Sequence, residues 1–166
     1  MINQVYQLVA PRQIEVTYKH EHIKSNKVIV RPLYLSICAA DQRYYTGSRD
    51  EHVLENKLPM SLIHEGVGEV VYDSKGFYEI GTKVIMVPNT PVETDNVISE
   101  NYLPSSKFRS SGFDGFMQDY VFMDHDRVVK VPNTLDLSVL SFSELVSVSW
   151  HAIQSFKKKS IYKQDT

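Results

Sequence analysis

A chain of 166 residues, 42% hydrophobic and 23% charged, has enough apolar material for one globular domain with its own core. Its 18 basic residues nearly balance its 20 acidic ones, which excludes a general nucleic-acid-binding surface, and its single cysteine excludes intrachain disulfides and zinc sites of several thiolates. No apolar run approaches the ~18 residues of a membrane span and the N-terminus lacks a signal-peptide pattern, so we expect a cytoplasmic protein.

Short strands separated by glycine or proline dominate the first four-fifths of the chain. The run Lys27–Cys38 is rich in β-branched residues, and Pro32 within it favours an edge position or a bulge. Shorter β-type segments follow at Gly66–Asp73 and Gly81–Pro88, and Gly115–Pro132 predicts two more. This pattern favours a mainly β fold with a few helices, arranged as a barrel or a sandwich.

Two segments depart from the strand pattern. Residues 89–115 are polar and poorly periodic, which predicts a long excursion from the barrel. From Leu137 the apolar spacing becomes helical, with Ser143 as a candidate N-cap. The basic and polar residues 157–166 predict a frayed tail.

Four residues are a candidate metal set: Cys38, His64, Glu65 and Glu144. A thiolate, an imidazole and carboxylates suit Zn²⁺, and a catalytic site uses few protein ligands so that one position stays open. Their wide separation in sequence excludes a zinc finger and requires a site assembled by the fold. The residue types alone leave the alternative open that Cys38 is a small buried hydrophobe and His64 a core histidine.

Five motifs in one order resemble the zinc-dependent medium-chain dehydrogenases, from near the first residue to about Phe156. The motifs are SICAADQRYYTG, LPMSLIHEGVGEVV, GTKVIMVP, GFDGFMQDYVFM and VVKVPNTLDLSVLSFSELVSVSWHAI. The resemblance implies a GroES-like β-barrel catalytic domain with one catalytic zinc ion at its edge.

The same resemblance implies a role for each matched residue. Cys38 matches the thiolate ligand and His64 the imidazole ligand, while Glu65 matches a ligand or an exchangeable carboxylate. Glu144 matches the glutamate ligand of the polyol-dehydrogenase branch. Asp41 matches the aspartate that orients the metal-bound histidine.

The chain also departs from the family pattern. Ala40 replaces the hydroxyl residue of the usual proton relay, and we consider Glu65 or Tyr45 as its replacement. Ile63 replaces the glycine that commonly precedes the His-Glu pair. Residues 89–115 contain no cysteine, so we expect one zinc ion per chain rather than two.

A closer resemblance is to the ribulose-5-phosphate reductases of teichoic-acid synthesis, through the segments PLYLSICAADQRYYTG, LPMSLIHE, MVPNTP and FRSSGFDGFMQDYV. These enzymes form D-ribitol 5-phosphate with NADPH and work beside a cytidylyltransferase. The resemblance implies reduction of ribulose 5-phosphate at C2. Four cations in or beside the matched segments are candidates for the substrate phosphate: Arg43, Arg49, Lys107 and Arg109.

No Gly-x-Gly-x-x-Gly fingerprint occurs in the sequence. In the resembled family a nucleotide-binding domain follows the helix that ends near Phe156, so the resemblance implies a zinc-binding catalytic domain at residues 1–156 and a polar tail at 157–166, ahead of a missing nucleotide-binding domain. We expect negligible hydride transfer by the chain alone. The alternatives are another zinc-dependent polyol or sugar-alcohol dehydrogenase, and a non-catalytic barrel that binds a partner.

Overall fold

The computed structural model describes residues 1–23, 26–132 and 134–161 as a mainly β protein with ten strands and four α-helices. The strands are β1 Ile2–Ala10, β2 Gln13–His20, β3 Val28–Ser36, β4 Met60–Ser61, β5 Glu65–Asp73, β6 Lys83–Met86, β7 Asn89–Thr90, β8 Lys107–Phe108, β9 Val121–Met123 and β10 Val128–Lys130. The helices are α1 Ala39–Thr46, α2 Glu51–Lys57, α3 Leu137–Leu140 and α4 Ser143–Ile161, and single 3-10 turns lie at Glu100–Tyr102 and His125–Arg127. The predicted mainly β fold with a few helices is confirmed.

Two antiparallel sheets form the body of the described chain. A five-stranded sheet has the order β10-β6-β5-β3-β9, and a three-stranded sheet has the order β2-β1-β4. The sheets meet where Val5 bridges to Gln118 and where the Tyr6 N–H donates to the Met117 carbonyl at 3.1 Å. The small β7-β8 pair belongs to the excursion at residues 89–115, as its polar sequence predicted.

Pro32 lies at a bulge, which confirms one of the two positions that its sequence context favoured. It stands opposite Gly68 of β5, and the register shifts between Pro32 and Tyr34. On the other side, β9 pairs with β3 only through residues 28–30. Pro32 therefore has no strand neighbour there, and its missing N–H removes no hydrogen bond from that side of the sheet.

Two buried clusters make up the core. The larger one lies inside the five-stranded sheet and is mostly valine, the residue that packs well on a pleated surface. Its members are Val28, Val30, Val70, Val84, Met86, Phe116, Val121, Met123 and Val128. The smaller cluster packs β1 and helix α1 against the segment that precedes His64, through Leu8, Tyr44, Met60, Leu62 and Ile63. This second cluster joins the two chain segments that carry Cys38 and His64.

Helix α4 differs from its sequence prediction at both ends. Ser143 lies inside the helix and its Oγ donates to the Leu140 carbonyl at 2.6 Å, so the prediction that it caps the helix is wrong. The helix continues to Ile161, whereas the sequence predicts a tail from residue 157; residues 162–166 of that tail lie outside the described residues. Large apolar side chains on α4 are exposed, including Trp150 at 60%. No helix among the described residues is long and apolar enough to cross a membrane.

Candidate metal centre

Cys38 is held at a fixed point because it caps the N-terminus of helix α1. Its Sγ accepts the backbone N–H of Ala40 at 3.3 Å. The Asp41 carboxylate accepts both the backbone N–H and the thiol of Cys38, at 3.1 Å each. This reciprocal capping box satisfies the first N–H groups of the helix and orients the thiol.

His64 and Glu65 follow a strained turn that long-range contacts stabilise. Ile63 has φ 71°, in the left-handed region that a β-branched residue rarely adopts. Its N–H donates to Asp41 at 2.9 Å, and its carbonyl accepts the N–H of Phe116 at 2.6 Å. The family's glycine at this position would adopt that φ without strain, whereas here the surrounding hydrogen bonds hold an isoleucine in it.

The strand pairing brings the thiol and the imidazole together. Ser36 at the end of β3 pairs with Glu65 at the start of β5, so Cys38 and His64 lie at the same end of the sheet. Cys38 Sγ lies 3.6 Å from His64 Nε2, and with a Glu65 carboxylate oxygen these ligand atoms all lie within 4.8 Å of one another. A tetrahedral zinc ion with ordinary bond lengths separates its sulfur and nitrogen ligands by roughly 3.6 Å. The donor set therefore fits zinc.

The pKa values of three acidic groups at the site are raised, and a bound cation would lower them. Burial raises the pKa of the Cys38 thiol, and the Asp41 carboxylate contributes to the rise. Burial raises the pKa of Glu65, and the charges of Glu144 and Asp41 raise it further. Burial also raises the pKa of Glu144, against the opposite effect of His64. A divalent cation would favour the charged forms of all three groups.

Glu144 and Asp41 stand farther from the metal position than the resemblance implied. Glu144, in the first turn of α4, is not among the three residues whose ligand atoms lie within 4.8 Å, although its charge acts on Glu65. Asp41 Oδ1 is 4.0 Å from His64 Nδ1, beyond hydrogen-bond range, and Nδ1 has no hydrogen-bond partner in the described part of the chain. Asp41 supports His64 through the backbone of Ile63 instead.

The candidate phosphate-binding cations do not converge on one site. A cavity of about 760 Å³ lies beside Glu144, and its lining includes no lysine or arginine of the described residues. Arg43 is exposed on α1, and Lys107 is exposed on β8. The Arg49 guanidinium lies over the Tyr44 ring, 4.6 Å from its centroid.

Arg109, one of the predicted phosphate ligands, contacts the interior backbone in the structure. Its guanidinium donates to the backbone carbonyls of Asp114 at 3.2 Å and Phe122 at 2.7 Å, and it lies over the ring of Phe116. Burial lowers the pKa of Arg109 to about 10, partly offset by the charge of Asp114. The head group therefore binds the interior backbone rather than facing a cleft.

Sequence reasoning missed three residues that shape the site. Gly115 packs directly against the turn at Ile63, and the Ser110 hydroxyl donates to Asp41 at 3.1 Å. His151, which has no recognisable partner in the sequence, lines the cavity beside Glu144. Of these, only His151 carried a signal, because it lies on the same helical face as Glu144, two turns further along.

At position 63 a glycine should give a more stable protein than an alanine, the reverse of the usual effect of these two residues on stability. Both variants lose the same buried side chain, but only alanine keeps the strain of a positive φ. We expect Ile63→Gly to be about 1 kcal/mol more stable than Ile63→Ala. Urea unfolding of the two variants measures the difference. An alanine variant at least as stable as the glycine variant would show that the turn relaxes.

Two antiparallel sheets, with a thiol, an imidazole and a carboxyl group gathered at one end of the larger sheet, form a domain with a candidate metal centre. Residues 24–133 match the alcohol dehydrogenase GroES-like domain family, and the chain belongs to that family. The predicted GroES-like fold is confirmed.

Within this family, the chain is most informatively compared with several ribulose-5-phosphate reductases. The chain is 73% identical to ribulose-5-phosphate reductase 2 of Staphylococcus aureus over 161 residues, which cover 97% of this chain and 47% of that protein. It is 57% identical to the ribulose-5-phosphate reductase of Bacillus spizizenii over 166 residues, 100% of this chain and 49% of that protein. The crystal structure of S. aureus TarJ in complex with NADPH superposes with a TM-score of 0.77 at 61% identity, over 96% of this chain and 43% of that one. The chain thus spans about half the length of these relatives.

Proposed function

We propose that this chain is the metal-binding part of a zinc-dependent, NADPH-linked reductase that converts ribulose 5-phosphate to D-ribitol 5-phosphate. The observation that carries the proposal is the approach of Cys38, His64 and Glu65 to within 4.8 Å in a chain 73% identical to a ribulose-5-phosphate reductase. In this proposal Cys38, His64 and Glu65 hold the ion, and Glu144 borders it as a further carboxylate. Bound zinc would act as a Lewis acid toward the ketone oxygen.

The remaining groups orient the ligands and the substrate. Asp41 holds the Cys38 end and the Ile63 turn in one position, which keeps the thiolate and the imidazole at a fixed separation. Phe108 packs edge-on against His64 with ring centroids 5.1 Å apart and shields that side of the ring from water. Glu65 rather than Tyr45 is the proposed replacement for the missing relay hydroxyl of Ala40, because its carboxylate lies within 4.8 Å of the Cys38 and His64 ligand atoms, whereas Tyr45 lines a different cavity from Glu144.

Hydride transfer requires a nucleotide-binding unit outside the described residues. All strand pairs described here are antiparallel, and the sequence has no Gly-x-Gly-x-x-Gly fingerprint. NADPH is the proposed cofactor because the solved relative TarJ is in complex with NADPH. The proposed setting is the cytoplasm, with a cytidylyltransferase of teichoic-acid synthesis as the proposed partner.

A fusion protein tests this function. Residues 1–156 are joined to the nucleotide-binding half of S. aureus ribulose-5-phosphate reductase 2, and NADPH oxidation is followed by absorbance. We expect turnover with ribulose 5-phosphate, much slower turnover with unphosphorylated ribulose, and none by the 166-residue chain alone.

The control is the same fusion protein with Cys38→Ser, which keeps a capping oxygen on α1 but removes the thiolate. Equal rates with ribulose and ribulose 5-phosphate would favour a polyol dehydrogenase instead. An unchanged rate in the Cys38→Ser fusion protein would contradict the metal site.

A further inference from the structure

The cavity beside Glu144 lies next to the candidate metal centre, and a second group of hydrogen-bonding side chains lines its other end. One wall is a single face of α4, on which Glu144, Ser147 and His151 follow one another at helical spacing. The facing wall includes Phe108, whose ring lies against His64, and Tyr102. The volume of about 760 Å³ lies in the range of small-molecule sites.

The two ends of the cavity differ in charge. At the metal end, the negative charges of the Cys38 thiolate and Glu65 would offset the positive charge of bound zinc, and Glu144 adds a further carboxylate that faces the cavity. At the other end, the Tyr102 hydroxyl lies 3.3 Å from His151 Nε2, which joins α4 to the excursion. Ser106 and Gln154 also line the cavity and offer further hydrogen-bond donors.

The spacing of the two ends suits a short phosphorylated sugar. Glu144 and His151 are two helical turns apart, which is a rise of about 10 Å. Side chains on a helix lean toward its N-terminus by similar amounts, so the two ends keep a separation of about 10 Å, which leaves room for a hydrogen bond of about 3 Å at the phosphate end. By ordinary bond lengths, the C2 oxygen and the phosphorus of an open-chain five-carbon ketose 5-phosphate lie about 6 to 7 Å apart.

We propose that His151 and Tyr102 form the subsite for the phosphate group of the substrate. The proposal rests on the proposed function and extends it, because the four cations predicted from the sequence lie outside this cavity. The imidazole and the phenol donate hydrogen bonds to the phosphate oxygens, while the Glu144 carboxylate at the other end repels them. This arrangement admits the ketose in one direction, with its carbonyl toward Cys38 and His64.

Binding and kinetics of matched variants test the subsite. Dissociation constants of the zinc-loaded 166-residue chain for ribulose 5-phosphate and for ribulose are measured by calorimetry, and KM and kcat are measured in the fusion protein. We expect His151→Ala to raise both the dissociation constant and the KM for ribulose 5-phosphate about tenfold. The dissociation constant for ribulose and the kcat for ribulose 5-phosphate should stay the same. Tyr102→Phe should weaken the binding of ribulose 5-phosphate about threefold. His151→Lys should restore the affinity, because a lysine also donates hydrogen bonds to phosphate oxygens.

The control is Ser149→Ala on the same helix, whose hydroxyl donates to the Leu145 carbonyl and does not line the cavity. It should leave every constant unchanged, and one zinc ion per chain in each variant verifies the fold. Equal KM values for ribulose 5-phosphate in the parent and the His151→Ala fusion proteins would overturn the subsite and leave the proposed function intact. No preference for ribulose 5-phosphate over ribulose in the parent fusion protein would overturn both.

Discussion

Cys38→Ser and His64→Ala should each abolish stoichiometric zinc binding, whereas Glu144→Gln should retain it. The first two changes remove a thiolate or an imidazole from the three ligand atoms that lie within 4.8 Å of one another. Serine keeps an N-cap oxygen at α1, so the loss cannot be ascribed to a frayed helix. Glu144 lies outside that group, and its replacement leaves all three donors in place.

Metal analysis after dialysis, together with competition against a chromogenic chelator, measures this effect. We expect about one zinc ion per chain in the parent protein and in Glu144→Gln, and less than a tenth of that in the other two variants. His52→Ala, which changes an exposed histidine on α2, is the matched control. Stoichiometric zinc in Cys38→Ser would favour the reading of Cys38 as a core residue. Loss of zinc in Glu144→Gln would show that Glu144 completes the ligand set.

Gly115→Ala should destabilise the protein by about 3 kcal/mol and weaken zinc binding as well. A Cβ atom at Gly115 would lie 2.3 Å from the carbonyl oxygens of both Leu62 and Ile63, far inside van der Waals contact. These are backbone atoms, so the turn that precedes His64 has to move. The displaced imidazole then no longer lies at 3.6 Å from the Cys38 thiol.

Gly76→Ala is the control for the general effect of replacing glycine. Gly76 has φ 67° but nothing within 4 Å of an added Cβ, so its replacement should cost only about 1 kcal/mol and leave zinc affinity unchanged. Urea unfolding and zinc titration of both variants compare the two effects. If Gly115→Ala proves no less stable than Gly76→Ala, the close approach at Gly115 does not constrain the site.

Local patterns predicted the strands of the five-stranded sheet, but they did not predict the β1–β2 hairpin or two of the helices. The strands β3, β5 and β6 lie where β-branched residues and glycine or proline boundaries placed them. Helices α1 and α2 were not predicted. Helix α1 has eight residues and begins after a cysteine, which is not among the residues that usually mark a helix N-terminus. Its capping box becomes visible only when the Cys38 and Asp41 side chains are seen together.

For the candidate site too, some residues could be predicted from the sequence and others could not. Cys38, His64 and Glu65 could be singled out because their chemistry and ordered motifs are properties of the sequence, and the structure brings them together. The distance of Glu144 and the inward orientation of Arg109 could not be inferred. Both depend on how a helix and an excursion loop pack against the barrel, which no local pattern encodes.

By itself, the sequence determined the mainly β class, the family likeness, the limit of one cysteine and the residue types available for a metal. These follow from composition, the types of residue in each segment and the order of the motifs, all of which can be read along the chain without knowing how it folds. Only the tertiary structure decided that Cys38 and His64 lie 3.6 Å apart and that Ile63 adopts a left-handed turn against Gly115. It also placed His151 rather than an arginine in the cavity beside Glu144. The physical reason is that these relations join residues distant in the chain, and strand register and core packing set them.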